Sequence, residues 1–143
     1  MTVELKSATP EDRRRIYRQI ADEMGDSQFY ARKEVLDAIP EALHDSEPLL
    51  GLTSGYAPGG QRVLALTDRR LLLFNAAKGS ETPVALPLEK VVSLRAETGL
   101  MAANLYFRCD NDDYAFGDVP KRMADNFARR MKQAMDDFTP PPG

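Results

Sequence analysis

The spacing of apolar residues changes close to Pro48, and this change predicts two kinds of structure along one chain. Before Pro48, apolar residues such as Ile16, Ile20 and Met24 recur every four positions, which is typical of an amphipathic helix. After it, short apolar runs alternate with turn-forming residues, as they do in a meander of antiparallel strands. A helical spacing returns after Pro120, so we predict helices, then strands, then a final helix.

Two helices are predicted in the N-terminal part of the chain. The first begins at Thr9, whose side chain suits a helix cap, and Pro10 fits the first helical turn. Gly25 ends this helix. The second covers about residues 29–39, and its apolar face carries Val35, Leu36 and Ile39. This helical arm must lie either on an outer sheet face or against another copy of the chain, and the pattern leaves both arrangements open.

Seven strands are predicted, at residues 49–56, 61–67, 70–75, 82–86, 91–97, 103–109 and 113–117. Alternation of apolar and polar residues is clearest in the fifth and sixth strands. One face of each is expected to carry the residues Val92, Leu94, Ala96, Leu105, Phe107 and Cys109. A meander of this size does not stay flat, so we expect a sandwich or partial barrel with an end that needs a cover.

The last helix, at about 120–138, carries an apolar stripe that suits this covering role. We expect its stripe to be buried: Met123, Phe127, Met131, Ala134 and Phe138. The predicted organisation is therefore an N-terminal helical extension at 1–47, a strand-rich domain at 48–138 and a disordered tail at 139–143. The fold class is α+β, mostly β, with a seven-stranded antiparallel sandwich or partial barrel capped by the C-terminal helix.

Composition excludes several kinds of chemistry. Cys109 is the only cysteine and His44 the only histidine, so the chain forms no internal disulfide and no zinc site of the usual ligands. Cys109 falls on the apolar face of a predicted strand, and His44 lies in a connector without catalytic partners near it in sequence. We therefore predict no catalytic residues, no cofactor and no metal, and we expect a protein that is not an enzyme.

Charge and hydropathy argue against two further classes of protein, those that bind nucleic acid and those that span a membrane. The net charge is −3 and the isoelectric point is about 5.2, so no general attraction to nucleic acid is expected. No apolar run is long enough for a membrane span, and the N-terminus lacks the pattern of a signal peptide. We expect the protein to be cytoplasmic.

Four segments of the chain resemble a known family. They are the Gly55-Tyr56 pair, the run from Leu64 to Phe74 that contains Thr67-Asp68-Arg69-Arg70, the segment from Leu86 to Val91, and Asp118-Val119-Pro120. Together they resemble the bacterial branch of the pleckstrin-homology-like (PH-like) superfold often called YokE-like PH domains. The resemblance implies two packed antiparallel sheets capped by a helix, and a module that binds lipids, peptides, other proteins or copies of itself.

Two interpretations of the function follow. The first is a non-catalytic PH-like binding or assembly module that contacts another protein or itself as a homo-oligomer. The alternative is a peripheral binder of anionic membranes, but inositol lipids are not expected because the first hairpin carries only Arg62 as a cation. The candidate interaction surface consists of Tyr56, Arg62, Lys78, Ile16 and Ile20. The turn Thr67–Arg70 is interpreted as structural, with Asp68 bonding the turn backbone, rather than as an anion site.

Overall fold

The computed structural model describes residues 5–25, 33–77 and 82–138. The start of the second predicted helix at 29–32, the candidate surface residue Lys78 and the predicted tail at 139–143 lie outside the described residues. The elements are α1 (Pro10–Met24), α2 (Lys33–Ala42), β1 (Leu49–Ala57), β2 (Gly60–Thr67), β3 (Arg70–Asn75), β4 (Val84–Pro87), β5 (Val91–Thr98), β6 (Ala103–Cys109), β7 (Asp112–Val119) and α3 (Lys121–Asp137). The predicted order of two helices, seven strands and a final helix is confirmed.

All strand pairs are antiparallel, and the strand order is β4-β3-β2-β1-β7-β6-β5. Strands β1 and β7 meet through one residue pair, Tyr56 and Gly117, so the sheet divides there into a β1–β4 half and a β5–β7 half. At this corner a Cβ on Gly55 would lie 2.8 Å from the Cβ of Phe116, which leaves space for glycine only. The predicted architecture, a mostly β fold of seven antiparallel strands with a C-terminal helix, is confirmed.

Helix α3 packs against β1, β5 and β6 and covers the inside of the strand structure. The side chains of Met123, Phe127 and Met131 are fully buried, as its apolar spacing predicts. Phe138 differs from the prediction, because it lies just past the last turn of the helix and is only half-buried. The helix therefore buries its stripe as far as Ala134 and opens at its C-terminal end.

The N-terminal helices pack within the chain. Thr9 caps α1 by accepting a hydrogen bond from the Asp12 amide at 3.2 Å, and α1 lies against β1 and α3. Ile20 belongs to the core with 6% exposure, and Ile16 is half-buried at its margin. Ile20 is thus a packing residue in this structure rather than part of an accessible surface.

The pattern of burial shows which sheet the helices cover. All four consecutive residues of β3 from Leu71 to Phe74 are buried, although neighbouring residues in a strand point to opposite faces. Both faces of this half of the sheet are therefore covered, and α1 packs against its strand β1. In β6, by contrast, the buried residues Leu105, Phe107 and Cys109 alternate with more exposed ones, as predicted.

Strand β5 departs from the predicted alternation. Val92 is 51% exposed, whereas Val91 and Leu94 are buried. The cause is a bulge between Val92 and Arg95, where Ser93 has a φ of 59°. A bulge inserts one extra residue and switches the side that each side chain faces. The prediction that Val92 and Leu94 share a face is therefore wrong.

Candidate functional site

The turn between β2 and β3 is built on Thr67. The Thr67 hydroxyl oxygen accepts hydrogen bonds from the amides of Arg69 and Arg70, both at 3.1 Å. The sequence assigned this role to Asp68, but Asp68 instead forms an ion pair with Arg69 at 3.3 Å. Serine and threonine hydroxyls form such turns as aspartate does, so the turn chemistry is of the expected kind with a different residue.

The same turn holds a buried ion pair. The Glu47 carboxylate is fully inaccessible and accepts hydrogen bonds from Arg70 Nε at 2.9 Å and Nη2 at 2.8 Å. The Thr67 hydroxyl donates to it at 2.7 Å and the His44 amide at 2.9 Å. Burial alone would raise the pKa of Glu47, but these hydrogen bonds outweigh it and lower the pKa to about 2.

Arg70 also donates to the Ala42 carbonyl at 2.6 Å, so one guanidinium joins the end of α2, the connector before β1 and the β2–β3 turn. Each charge in this cluster is compensated inside the chain. The cluster therefore anchors the helical arm to the sheet and is not available to bind an anion. This geometry supports the structural interpretation of Thr67–Arg70.

The four sequence-predicted surface residues that the structure describes, Tyr56, Arg62, Ile16 and Ile20, do not lie together on one surface. Tyr56 is 50% exposed near the end of β1. Arg62 lies on the neighbouring strand, where its guanidinium bends back over the hairpin and donates to the Gln61 carbonyl at 3.2 Å. Ile16 and Ile20 lie on α1 and face the core, and Lys78 is outside the described residues.

A more coherent surface lies on the outer side of β5, β6 and β7, which we call the open face. It consists of Val92, Arg95, Tyr106, Arg108, Asp113 and Ala115, and no helix among the described residues covers it. Register places Val92 beside Arg108 and Arg95 beside Tyr106. The adjoining strand adds Asp113 beside Arg108 and Ala115 beside Tyr106.

The open face combines arginine with aromatic and apolar groups around a shallow cleft of about 310 Å³. The Arg95 guanidinium carbon lies 4.5 Å from the centre of the Tyr106 ring, in a cation–π arrangement. Arg95 Nε contacts Glu97 at 3.1 Å, and Arg108 Nε contacts Asp113 at 3.3 Å. Arginine and tyrosine are enriched in protein–protein interfaces.

The hairpin between β5 and β6 ends in an apolar tip, Leu100 and Met101. These two side chains are 93% and 92% exposed, the highest values among the exposed large apolar residues that the structure describes. The turn is closed by a hydrogen bond from the Gly99 amide to the Ala102 carbonyl at 2.9 Å. Lys121 Nζ donates to the Leu100 carbonyl at 3.3 Å.

In the sequence analysis this tip is only the connection between the strands predicted at 91–97 and 103–109. The available signal was its composition, because two large apolar residues are unusual where polar turn formers prevail. Their exposure also matters, since adjacent apolar side chains in solvent are a mark of interaction sites.

Other chemistry is sparse. Within residues 5–25, 33–77 and 82–138, no three His, Cys, Asp or Glu side chains are grouped so that they could hold a metal ion. Cys109 is buried, and desolvation, with a smaller effect of Asp110, raises the pKa of its thiol above the usual range. Over the same part of the chain, no helix has the length and hydropathy of a transmembrane segment.

Comparison with known proteins identifies the family of the chain. The profile of the family described as "Bacterial PH domain" matches residues 43–133, well over half of the chain. Among solved structures, the chain is similar to the "Vps36 N-terminal PH domain", with a TM-score of 0.50 and 14% sequence identity. That match covers 66% of this chain and 83% of the other, and at this identity it shows the fold alone. No curated protein sequence matches the chain.

Proposed function

Because this chain belongs to the bacterial PH domain family, and PH domains are generally binding modules without catalysis, we propose that it is a non-catalytic module whose ligand is another protein, a second copy of itself included. The observation that carries this proposal is the apolar tip at the end of the open face. The finer resemblance to the YokE-like branch stays a prediction, and the proposal does not depend on it.

The tip contributes nothing to the folded core, since Leu100 and Met101 are almost fully exposed. Burying either side chain against a partner would yield about 1.5–3 kcal/mol. The closed turn and the Lys121 contact restrain the backbone of the tip, which lowers the entropic cost of docking. Tip and open face lie on the same hairpin, so one partner surface can contact both.

The local charge favours a protein over an anionic membrane. Lys121 and Arg122 follow the end of β7, but the carboxylates of Glu97 and Asp118 flank the same end of the hairpin. Attachment to anionic lipid generally takes several basic residues, each worth about 1 kcal/mol. On the last helix, moreover, Arg130 is engaged by the Leu50 carbonyl at 2.6 Å and by Glu23 at 2.8 Å. Arg130 is therefore occupied within the chain and is less available to an anionic membrane.

The test is the double variant Leu100→Asp, Met101→Asp, with Val84→Asp as the matched control. Val84 is 53% exposed on β4, in the other half of the sheet. Both variants should keep the wild-type unfolding midpoint, because neither changes a buried group. Sedimentation velocity over a hundredfold concentration range measures self-association. Affinity capture, followed by reconstitution with the identified purified protein, measures binding to another partner.

We expect binding to be retained in Val84→Asp and lost in the double variant. Partner binding or self-association that survives the double variant would contradict the role of the tip. Cosedimentation of the wild type with phosphatidylserine vesicles at physiological salt, in the absence of protein binding, would support the membrane alternative instead.

A further inference from the structure

We infer that the cleft on the open face binds a carboxylate side chain from an acidic segment of a partner protein, held between Arg95 and Arg108. This inference rests on the proposed function and specifies the chemistry of the partner. Both arginines line the cleft together with Tyr106, Ala115 and Asp113.

The two guanidinium groups have donors to spare. Arg95 and Arg108 each form their ion pair through Nε. Within the described part of the chain, their Nη1 and Nη2 groups make no hydrogen bond. A guanidinium presents its N–H groups as a planar fork that matches the two oxygens of a carboxylate, and such bidentate pairs are among the stronger polar contacts.

Both side chains are also held in position before any ligand arrives. Arg95 is stacked on Tyr106 and tied to Glu97, and Arg108 is tied to Asp113. Ordering a long side chain on binding costs conformational entropy, and this loss is smaller because these contacts already restrict both side chains. Ala115 keeps the cleft open on β7, where a larger side chain would fill it.

The charge balance selects the kind of anion. Two guanidinium groups face the two carboxylates of Glu97 and Asp113, and Asp113 lines the cleft itself. Asp113 repels any anion at this cleft, and it repels a dianionic phosphate about twice as strongly as a singly charged carboxylate at the same distance. A carboxylate carries a single negative charge, and the methylene groups of a glutamate suit contact with the half-exposed Val92 and the Tyr106 ring. An acidic protein segment fits this cleft better than a phosphorylated group or a lipid headgroup.

The experiment is a titration of the ¹⁵N-labelled full chain with an acetylated and amidated tetraglutamate peptide at low ionic strength. The readouts are the Nε–Hε signals of Arg95 and Arg108 and the ring signals of Tyr106. We expect saturable shifts at these groups, with a dissociation constant on the order of 1 mM for so short a probe. The variant Arg95→Gln, Arg108→Gln should weaken binding at least tenfold. The matched control Arg14→Gln, Arg18→Gln, which removes two exposed arginines of α1, should leave it unchanged.

Three results would overturn the inference. The first is no shift at Arg95 and Arg108 up to about 10 mM peptide, and the second is an affinity of the Arg95→Gln, Arg108→Gln variant for the peptide equal to that of the wild type. The third is a stronger shift at the same groups from inorganic phosphate or from phosphatidylserine vesicles. The Leu100→Asp, Met101→Asp variant should still bind tetraglutamate, because the tip lies outside the cleft. Failure of the peptide titration can thus be told apart from failure of the protein-binding proposal.

Discussion

Replacing Arg70 by methionine tests whether the Glu47–Arg70 pair anchors the helical arm to the sheet. The substitution keeps an apolar stem of similar length but removes the guanidinium. Glu47 would then remain buried with hydrogen bonds from Thr67 and His44 and with no counter-charge. A buried carboxylate in that position must either stay ionised at high cost, take up a proton, or draw water into the site.

The magnitude follows from two independent considerations. Breaking a buried ion pair by removing one partner costs about 3–5 kcal/mol. The lowering of the Glu47 pKa from 4.5 to about 2 corresponds to roughly 3 kcal/mol of preference for the folded state. Since a domain of this kind is stable by about 5–15 kcal/mol, Arg70→Met should remove a large part of the total.

The assay is urea unfolding followed by far-UV circular dichroism at pH 7. Arg95→Met is the matched control, because Arg95 is also ion-paired but its side chain is 60% exposed. We expect that control to change the free energy of unfolding by less than about 1 kcal/mol. The double variant Glu47→Met, Arg70→Met should recover much of the loss, since no unpaired charge remains. A loss below about 1 kcal/mol for Arg70→Met would refute the anchoring role.

The same pair predicts a dependence of stability on pH. The folded-state pKa of Glu47 is lower than its unfolded value, so its contribution is fully present above about pH 4.5. It is lost as the pH falls from there through about 2, where the folded form also takes up a proton. Glu47→Gln should flatten the unfolding free energy over this window relative to the wild type. Equal slopes for the two proteins would show that Glu47 is not the group responsible.

Three further outcomes are expected. Phe127→Ala should lower the free energy of unfolding by about 3–5 kcal/mol, because this fully buried ring fills the contact between α3 and the sheet. A free energy of unfolding from urea titration within about 1 kcal/mol of the wild-type value would contradict this prediction. Gly55→Ala should cost about 1–3 kcal/mol by forcing the new Cβ against Phe116, and an unchanged thermal midpoint would contradict the tight corner. Cys109 should react with iodoacetamide at pH 8 far more slowly in the folded than in the urea-unfolded protein, and equal rates would show that the thiol is accessible.

The strands were predictable because their ends carry local signals. The turns at Pro58-Gly59, Asp68-Arg69 and Asp110-Asn111 separate apolar runs, and each predicted strand lies within a few residues of the observed one. The bulge in β5 was not predictable in the same way. Ser93 adopts a positive φ without being a glycine, so its composition gives no warning of the irregularity.

The Glu47–Arg70 ion pair could not be predicted from the sequence, for a different reason. Glu47 and Arg70 are 23 positions apart, and in sequence Glu47 is one acidic residue of an acidic arm. Its role depends on the β2–β3 turn and the end of α2 meeting at one point. Only the assembled fold brings together the Thr67 hydroxyl, the Arg70 guanidinium and the His44 amide, and no local pattern encodes that meeting.

The location of the open face, in contrast, follows from the pattern of apolar residues in the strands. Strand β3 has four consecutive apolar residues from Leu71 to Phe74, so it needs cover on both faces. Strand β6 alternates, with Tyr106 and Arg108 between buried neighbours, so it needs cover on one face only. The helical arm can satisfy just one of the two halves, and burial of its apolar stripe is most favourable over the half that is apolar on both sides. The described part of the arm, residues 5–25 and 33–47, leaves the outer face of the β5–β7 half uncovered, and the candidate docking residues lie there.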